Sequence, residues 1–216
     1  MIAHHLRRLS LAALLVIAVG GLEAASPLSG PPLAEALKAG GYVILMRHAS
    51  SPAMPPDKAS AEPDNFAVER QLDQAGRESA RSMGEALRAL RIPIGAVLSS
   101  PTYRALQTVR LASLGNAQSF AELGDGGQSM QAAGQGAGSW LRLKVAGRPR
   151  VGTDTVIVTH LPNITVAFGN AASDVKDGES LVFRPDGKGG AELIGRIKIE
   201  EWASLAAVER PSSRPN

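Results

Sequence analysis

Two of the four histidines in the chain, His48 and His160, stand directly beyond apolar runs. Tyr42-Val43-Ile44-Leu45-Met46 leads to the first and Thr155-Val156-Ile157-Val158 to the second. An imidazole can serve as nucleophile, proton carrier or metal ligand. Arg47 directly precedes His48, and Arg104 opens the segment after Leu98-Ser99-Ser100-Pro101. Guanidinium forks match a tetrahedral oxyanion through paired hydrogen bonds. A cation beside an imidazole also disfavours its protonated form and leaves a neutral, nucleophilic ring. The same arginines argue against a metal, which would face positive charge, and the absence of cysteine removes thiolate ligands. Taken singly, each histidine reads as a hydrogen-bonded core or surface residue, and each arginine as half of a surface ion pair. Taken together, at matching strand ends, they describe a phosphate pocket.

The elements that must deliver these groups follow from patterning. The runs before His48 and His160 are apolar without alternation, as in strands covered on both faces. Ala96-Val97-Leu98 is a third such strand. Pro31-Pro32 and the following apolar residues predict a short helix ending at Gly40-Gly41. Asp73 can cap a helix with Ala80, Met83, Leu87 and Leu90 on its inward face, closed by Pro93. A further helix starts near Thr102. Residues 124–138 are expected to form a loop with a broken helix, and Trp140 to Val145 either a helix turn or a strand. Leu181-Val182-Phe183 and Glu192 to Ile199 predict a hairpin around Pro185-Asp186-Gly187-Lys188. Glu201 to Ala207 predicts a last helix, and 208–216 a disordered tail. Alternating strands and helices imply a three-layer α/β/α sandwich with a mostly parallel central sheet. In such sheets ligands bind at the carboxyl ends of strands, so His48 and His160 share one edge.

Composition narrows the class. The chain has 216 residues, 44% of them hydrophobic and 20% charged, enough for one well-buried domain and unlike a fibre or disordered chain. Arg7-Arg8, the uncharged apolar run Leu9 to Leu22 and the small residues Ala24, Ala25 and Ser26 have the layout of a secretory signal peptide over 1–25. The run is short of the ~20 residues that span a bilayer. Removing Arg7, Arg8 and Glu23 lowers the formal charge from +3 to +2, which gives no argument for nucleic acid or an anionic membrane. The expected location is periplasmic or secreted, with the domain at 26–207 and no stable membrane insertion after cleavage.

Three stretches resemble the histidine phosphatase superfamily: Leu45-Met46-Arg47-His48-Ala49, Leu98 to Thr108, and Val158-Thr159-His160-Leu161-Pro162-Asn163. Glu69-Arg70-Gln71-Leu72 with Gly76 is similar to that family's approach to its first long helix. The resemblance implies a phosphoglycerate mutase-like fold and, from the compact length, the short branch that includes phosphohistidine phosphatases. It also implies that His48 attacks phosphorus and becomes phosphohistidine, while Arg47, Arg104 and His160 hold the equatorial oxygens. That chemistry requires no metal or organic cofactor.

Two positions depart from the family pattern. Ala49 stands where glycine is usual, so the pocket is expected to narrow or tilt. Leu161 stands where one branch places an acidic group after the second histidine. Glu122 is the nearest candidate acid and Asp125 the second; either is otherwise a solvated loop carboxylate. Asn163 either shapes the loop after His160 or touches substrate, and Arg70 and Asn65 either line the pocket mouth or cap and pair locally. Trp140 and Trp202 read as packing residues. The expected activity is hydrolysis of phosphomonoesters or phosphoramidates, on phosphorylated small molecules, envelope glycans or phosphoproteins. The alternative is a catalytically silent member of the fold that binds phosphate or a partner.

Overall fold

Side chains along the central strands alternate between two apolar layers, and that alternation builds the molecule. The computed structural model describes residues 27–125 and 136–209. The expected leader, most of the 124–138 stretch and the tail from 210 lie outside the described residues. Six strands form one sheet: β1 (Val43–Arg47), β2 (Ile94–Ser99), β3 (Ala117–Ser119), β4 (Asp154–Thr159), β5 (Ser180–Pro185) and β6 (Ala191–Ile197). Their spatial order is β3-β2-β4-β1-β5-β6. The first four run parallel, β5 is antiparallel to β1, and β6 is antiparallel to β5. Only β5 therefore runs against the rest, and it starts at the edge where the parallel strands end.

On one face, Ile44, Met46, Val156 and Val158 pack with α1 (Gly30–Ala39), α2 (Gln74–Ala89), α3 (Tyr103–Leu111) and α6 (Glu201–Glu209). On the other, Val43, Leu45, Ile157 and Leu181 pack with α4 (Ala137–Ala146) and α5 (Leu161–Phe168). This is the expected three-layer sandwich with a mixed, mostly parallel sheet. Asp73 caps α2 as anticipated, accepting from Gly76 N at 2.7 Å. Gly76 has a second duty, since a Cβ there would lie 2.1 Å from Ser50 O. Its missing side chain lets α2 press against the turn after His48.

Four features differ from the patterning. Trp140 to Val145, left open between two states, is helical within α4. The segment after His160, read as a loop, is helix α5, whose Pro162 sits in the first turn where no N–H partner is needed. β3 is a three-residue polar edge strand too short to show a period. The last helix runs on to Glu209, two residues past its expected end at Ala207. Among the described residues no helix is long and apolar enough to cross a membrane.

Candidate active site

β1 and β4 are direct neighbours in register, Arg47 opposite Thr159, so the residues that follow them arrive side by side. His48 and His160 are both buried, with ring centroids 5.1 Å apart and planes inclined at 62°. β2 flanks β4 and hands the chain through Ser99-Ser100-Pro101 into α3, which brings Arg104 in from the third side.

Arg104 joins the two rings. Its Nε donates to His48 Nε2 at 3.2 Å, and its Nη2 donates to His160 Nδ1 at 3.1 Å. These contacts assign the tautomers. His48 Nδ1 lies 2.7 Å from Ala49 O and donates to it, leaving Nε2 with its lone pair. His160 Nε2 donates to Ser100 Oγ at 2.8 Å, with Thr102 Oγ1 at 3.3 Å. Burial is the largest cause of the rings' resistance to protonation, with neighbouring guanidinium groups adding to it. His48 falls from 6.5 to about 3 and His160 to about 2. The cation that weighs most on His48 is Arg104 rather than its chain neighbour Arg47.

Asp125 pairs with Arg104 Nη2, and its Oδ2 is 3.8 Å from His160 Nδ1. Of the two candidate acids it is the one in contact with the cluster. Glu122 lies in a single 3-10 turn, Ala121–Leu123, half-buried and in no ion pair with the cluster. Asn163 is buried in the first turn of α5, where its Nδ2 donates to Gly124 O at 2.6 Å and Thr159 Oγ1 at 3.0 Å. It thus anchors the backbone just before Asp125. Arg47 points to a different set of partners, Val175 O at 3.1 Å and Asp177 Oδ1 at 2.6 Å.

Arg70 donates to Pro52 O at 2.7 Å and Ser51 Oγ at 2.8 Å, and its charge lowers the proton affinity of both histidines. Asn65 is a buried clasp instead: its Nδ2 donates to Glu69 O at 2.8 Å, and its Oδ1 accepts from Glu69 N at 2.9 Å. The clasp sets Glu69 Oε2 to accept the first N–H of α3, from Tyr103 at 3.0 Å. Trp202 is core, and Trp140 packs on Phe120 with Lys144 Nζ over its ring.

The methyl group of Ala49 belongs to the apolar core. It is fully buried in the layer beneath, among α2 and α3, while its N–H donates to Thr108 Oγ1 at 3.1 Å. Thr108 Oγ1 in turn donates to Arg104 O at 2.9 Å, tying the helix of Arg104 to the turn of His48. Ser100, Thr102 and Thr108 all lie within stretches quoted above, yet only the fold shows which ring or turn each one holds. Among the described residues no group of three or more His, Asp or Glu side chains is arranged to hold a metal ion.

Residues 43–125 match the family model of the histidine phosphatase superfamily (branch 1). No curated protein sequence matches the chain closely enough to count as a relative. Among solved structures the chain is similar to the protein histidine phosphatase SixA complexed with tungstate, at 20% identity and a TM-score of 0.53, covering 73% of this chain and 97% of that one. It is also similar to a mutant phosphoserine phosphatase from Entamoeba histolytica in complex with phosphoserine, at 13% identity and a TM-score of 0.50, covering 74% of this chain and 98% of that one. At these identities the likeness speaks for the fold. The family match covers the first two motifs, and the structural likeness supports the same fold over about three quarters of the chain.

Proposed function

We propose that this protein is an exported phosphatase that hydrolyses phosphomonoesters or phosphoramidates through a phosphohistidine on His48. One observation carries the reading. The His48 ring is buried and neutral, its Nδ1 is engaged by Ala49 O, and its Nε2 lone pair faces the Arg104 guanidinium that also meets His160. An arriving phosphoryl group would take the place of Asp125 as the anion on Arg104 and release Nε2 for attack. The Nε2–P bond forms as the bond to the leaving oxygen or nitrogen breaks, and Asp125 is the carboxyl best placed to protonate that atom. Water then cleaves the Nε2–P bond to give inorganic phosphate. Phosphoryl transfer asks chiefly for such positioning and charge stabilisation. Export rests on the leader pattern of residues 1–25, and the mass of the mature N-terminus tests it.

The deciding experiment incubates the protein with an activated aryl phosphate and looks for acid-labile label on the chain. His48→Ala is expected to abolish labelling and to lower turnover roughly ten-thousandfold or more. A His48→Ala variant that still turns over would exclude the covalent route. The contact of Arg104 Nε with the very lone pair that must attack favours a second reading, binding without turnover. Its signature is phosphate binding by the unsubstituted protein with neither label nor product.

A further inference from the structure

Arg47 closes β1 one residue before His48, yet a different part of the chain grips its guanidinium. Nη1 donates to Val175 O at 3.1 Å and Nη2 lies 2.6 Å from Asp177 Oδ1. We propose that Asp177 is a positioning residue, the tip of a strap over residues 174–179 that aims Arg47 at the anion held by His48, Arg104 and His160. This rests on the phosphate-pocket reading above and adds to it the residue that sets one arm of the pocket.

Topology puts the strap there. β5 alone runs against the other strands, so the segment entering it lies at the edge where β1 and β4 deliver the histidines. The strap is tied to the end of β1 through the main chain just after Asp177. Gly178 N donates to His48 O at 2.9 Å, and Arg47 N donates to Glu179 O at 3.2 Å. Gly178 has φ +74°, and a Cβ there would meet Ile199 at 2.6 Å, so the turn that carries Asp177 needs glycine. Val175 is buried among Val43, Leu45 and Leu181, which holds its carbonyl in place for Arg47.

The far end of the strap is anchored by charge. Glu179 is buried, and its two carboxylate oxygens accept from Lys176 N at 2.9 Å and Arg196 Nε at 2.8 Å. Arg196, on β6, also donates from Nη1 to Asp174 Oδ1 at 2.9 Å. Asp174, Glu179 and Arg196 thus clamp both ends of the segment that presents Asp177. The Asp177 Oδ1 atom is itself closed off from solvent and meets Arg47 as an ion pair rather than a well-aligned hydrogen bond. Burial pushes the Asp177 carboxyl up, while Arg47 and Arg70 pull it back. A fixed carboxylate beside a long, rotamer-rich arginine removes the freedom that substrate would otherwise have to freeze.

The test is calorimetric titration of the full chain with inorganic phosphate, alongside turnover of an aryl and an alkyl phosphate. Asp177→Asn is expected to weaken phosphate binding roughly tenfold and to slow both substrates by the same factor, through KM more than kcat. Arg196→Gln should act in the same direction by roughly two- to fivefold, and the double variant should be no worse than Asp177→Asn alone. Unchanged or tighter phosphate binding in Asp177→Asn overturns the strap, as does an additive double variant. A loss confined to the alkyl phosphate also overturns it, because that is the mark of a proton donor. Failure of the unsubstituted protein to bind phosphate overturns the pocket reading and the strap together.

Discussion

The two ends of β4 carry buried titratable groups in opposite circumstances. Beyond its C-terminal end, both ring nitrogens of His160 have partners, Arg104 on one side and Ser100 on the other. At its N-terminal end, Asp154 is fully buried and accepts from Tyr42 N at 2.9 Å, while its Oδ2 has no hydrogen-bond partner among the described residues. Burial is the largest cause of both shifts, lowering His160 from 6.5 to about 2 and raising Asp154 from 3.8 to about 7. The C-terminal end uses buried polarity to assemble a site. The N-terminal end ties Tyr42 to β4 with one carboxylate oxygen and leaves the other without a hydrogen bond among the described residues.

The signs of the two effects on stability are opposite. His48 and His160 hold folded values below 6.5, so their contribution is complete above that pH and is lost as pH falls toward about 3 and about 2. Asp154 holds a folded value above 3.8, so its contribution is complete below that pH and is lost as pH rises through about 7.

The largest effects are expected at the C-terminal end of β4. Arg104→Lys keeps the charge but not the fork that joins both rings. It should lower kcat/KM for an aryl phosphate by roughly 100- to 1000-fold with little change in the unfolding midpoint. A loss under tenfold would mean that the bridging geometry is incidental. At the other end, Asp154→Asn removes the ionisation without removing the acceptor for Tyr42 N. A rise from 3.8 to about 7 corresponds to up to about 4 kcal/mol above pH 7. An unpaired amide takes back on the order of 1–3 kcal/mol, so a net gain of about 2 kcal/mol is expected in urea unfolding at pH 8. At pH 4, where the ionisation cost is nearly absent, the unpaired amide should leave a net loss of about 1–3 kcal/mol, and activity should be unchanged throughout. An equal change at both pH values would place the shift elsewhere. A smaller effect concerns rate. With His48 neutral down to about 3, the acid limb of kcat/KM should not lie near 6.5 once the ionisation of the substrate itself is accounted for. A limb near 6.5 that moves in a His48 or His160 variant would show the rings to be more open to water than this geometry has them.

Legibility in the sequence divided along the same line. The strands, their burial on two faces and the shared edge of His48 and His160 follow from uninterrupted apolar runs, because a parallel sheet covered by helices leaves that trace. The Asp73 cap and the hairpin were likewise readable, since capping and turn chemistry are local. What could not be read depends on direction in space. Nothing in the order of residues says that the carbonyl of Val175 and the carboxylate of Asp177 would grip Arg47, because that pairing follows from β5 entering the sheet backwards. The methyl of Ala49 joins the core for the same kind of reason: its backbone N–H is held by Thr108 from α3. Burial as the main cause of neutral imidazoles was also hidden, since residue order places Arg47 beside His48 but does not show the contact of Arg104 with its ring.

The smallest expected effect separates two carboxylates three residues apart. Glu122 occupies a 3-10 turn and has no ion pair in the cluster, whereas Asp125 lies against Arg104 and within 3.8 Å of His160. Asn163 holds the Gly124 carbonyl at 2.6 Å, so the backbone between them is fixed from α5 and places Asp125 inward. A proton donor must reach the leaving atom, and its absence is felt most where the leaving group is a poor one. Glu122→Gln should therefore change turnover of alkyl and aryl phosphates alike by less than about twofold. Asp125→Asn should slow the alkyl ester by roughly 100-fold while sparing the aryl ester. If Glu122→Gln shows the leaving-group dependence instead, the acid reaches the site from the 3-10 turn. The contact of Asp125 with Arg104 would then be a resting counter-ion that substrate displaces without using its proton.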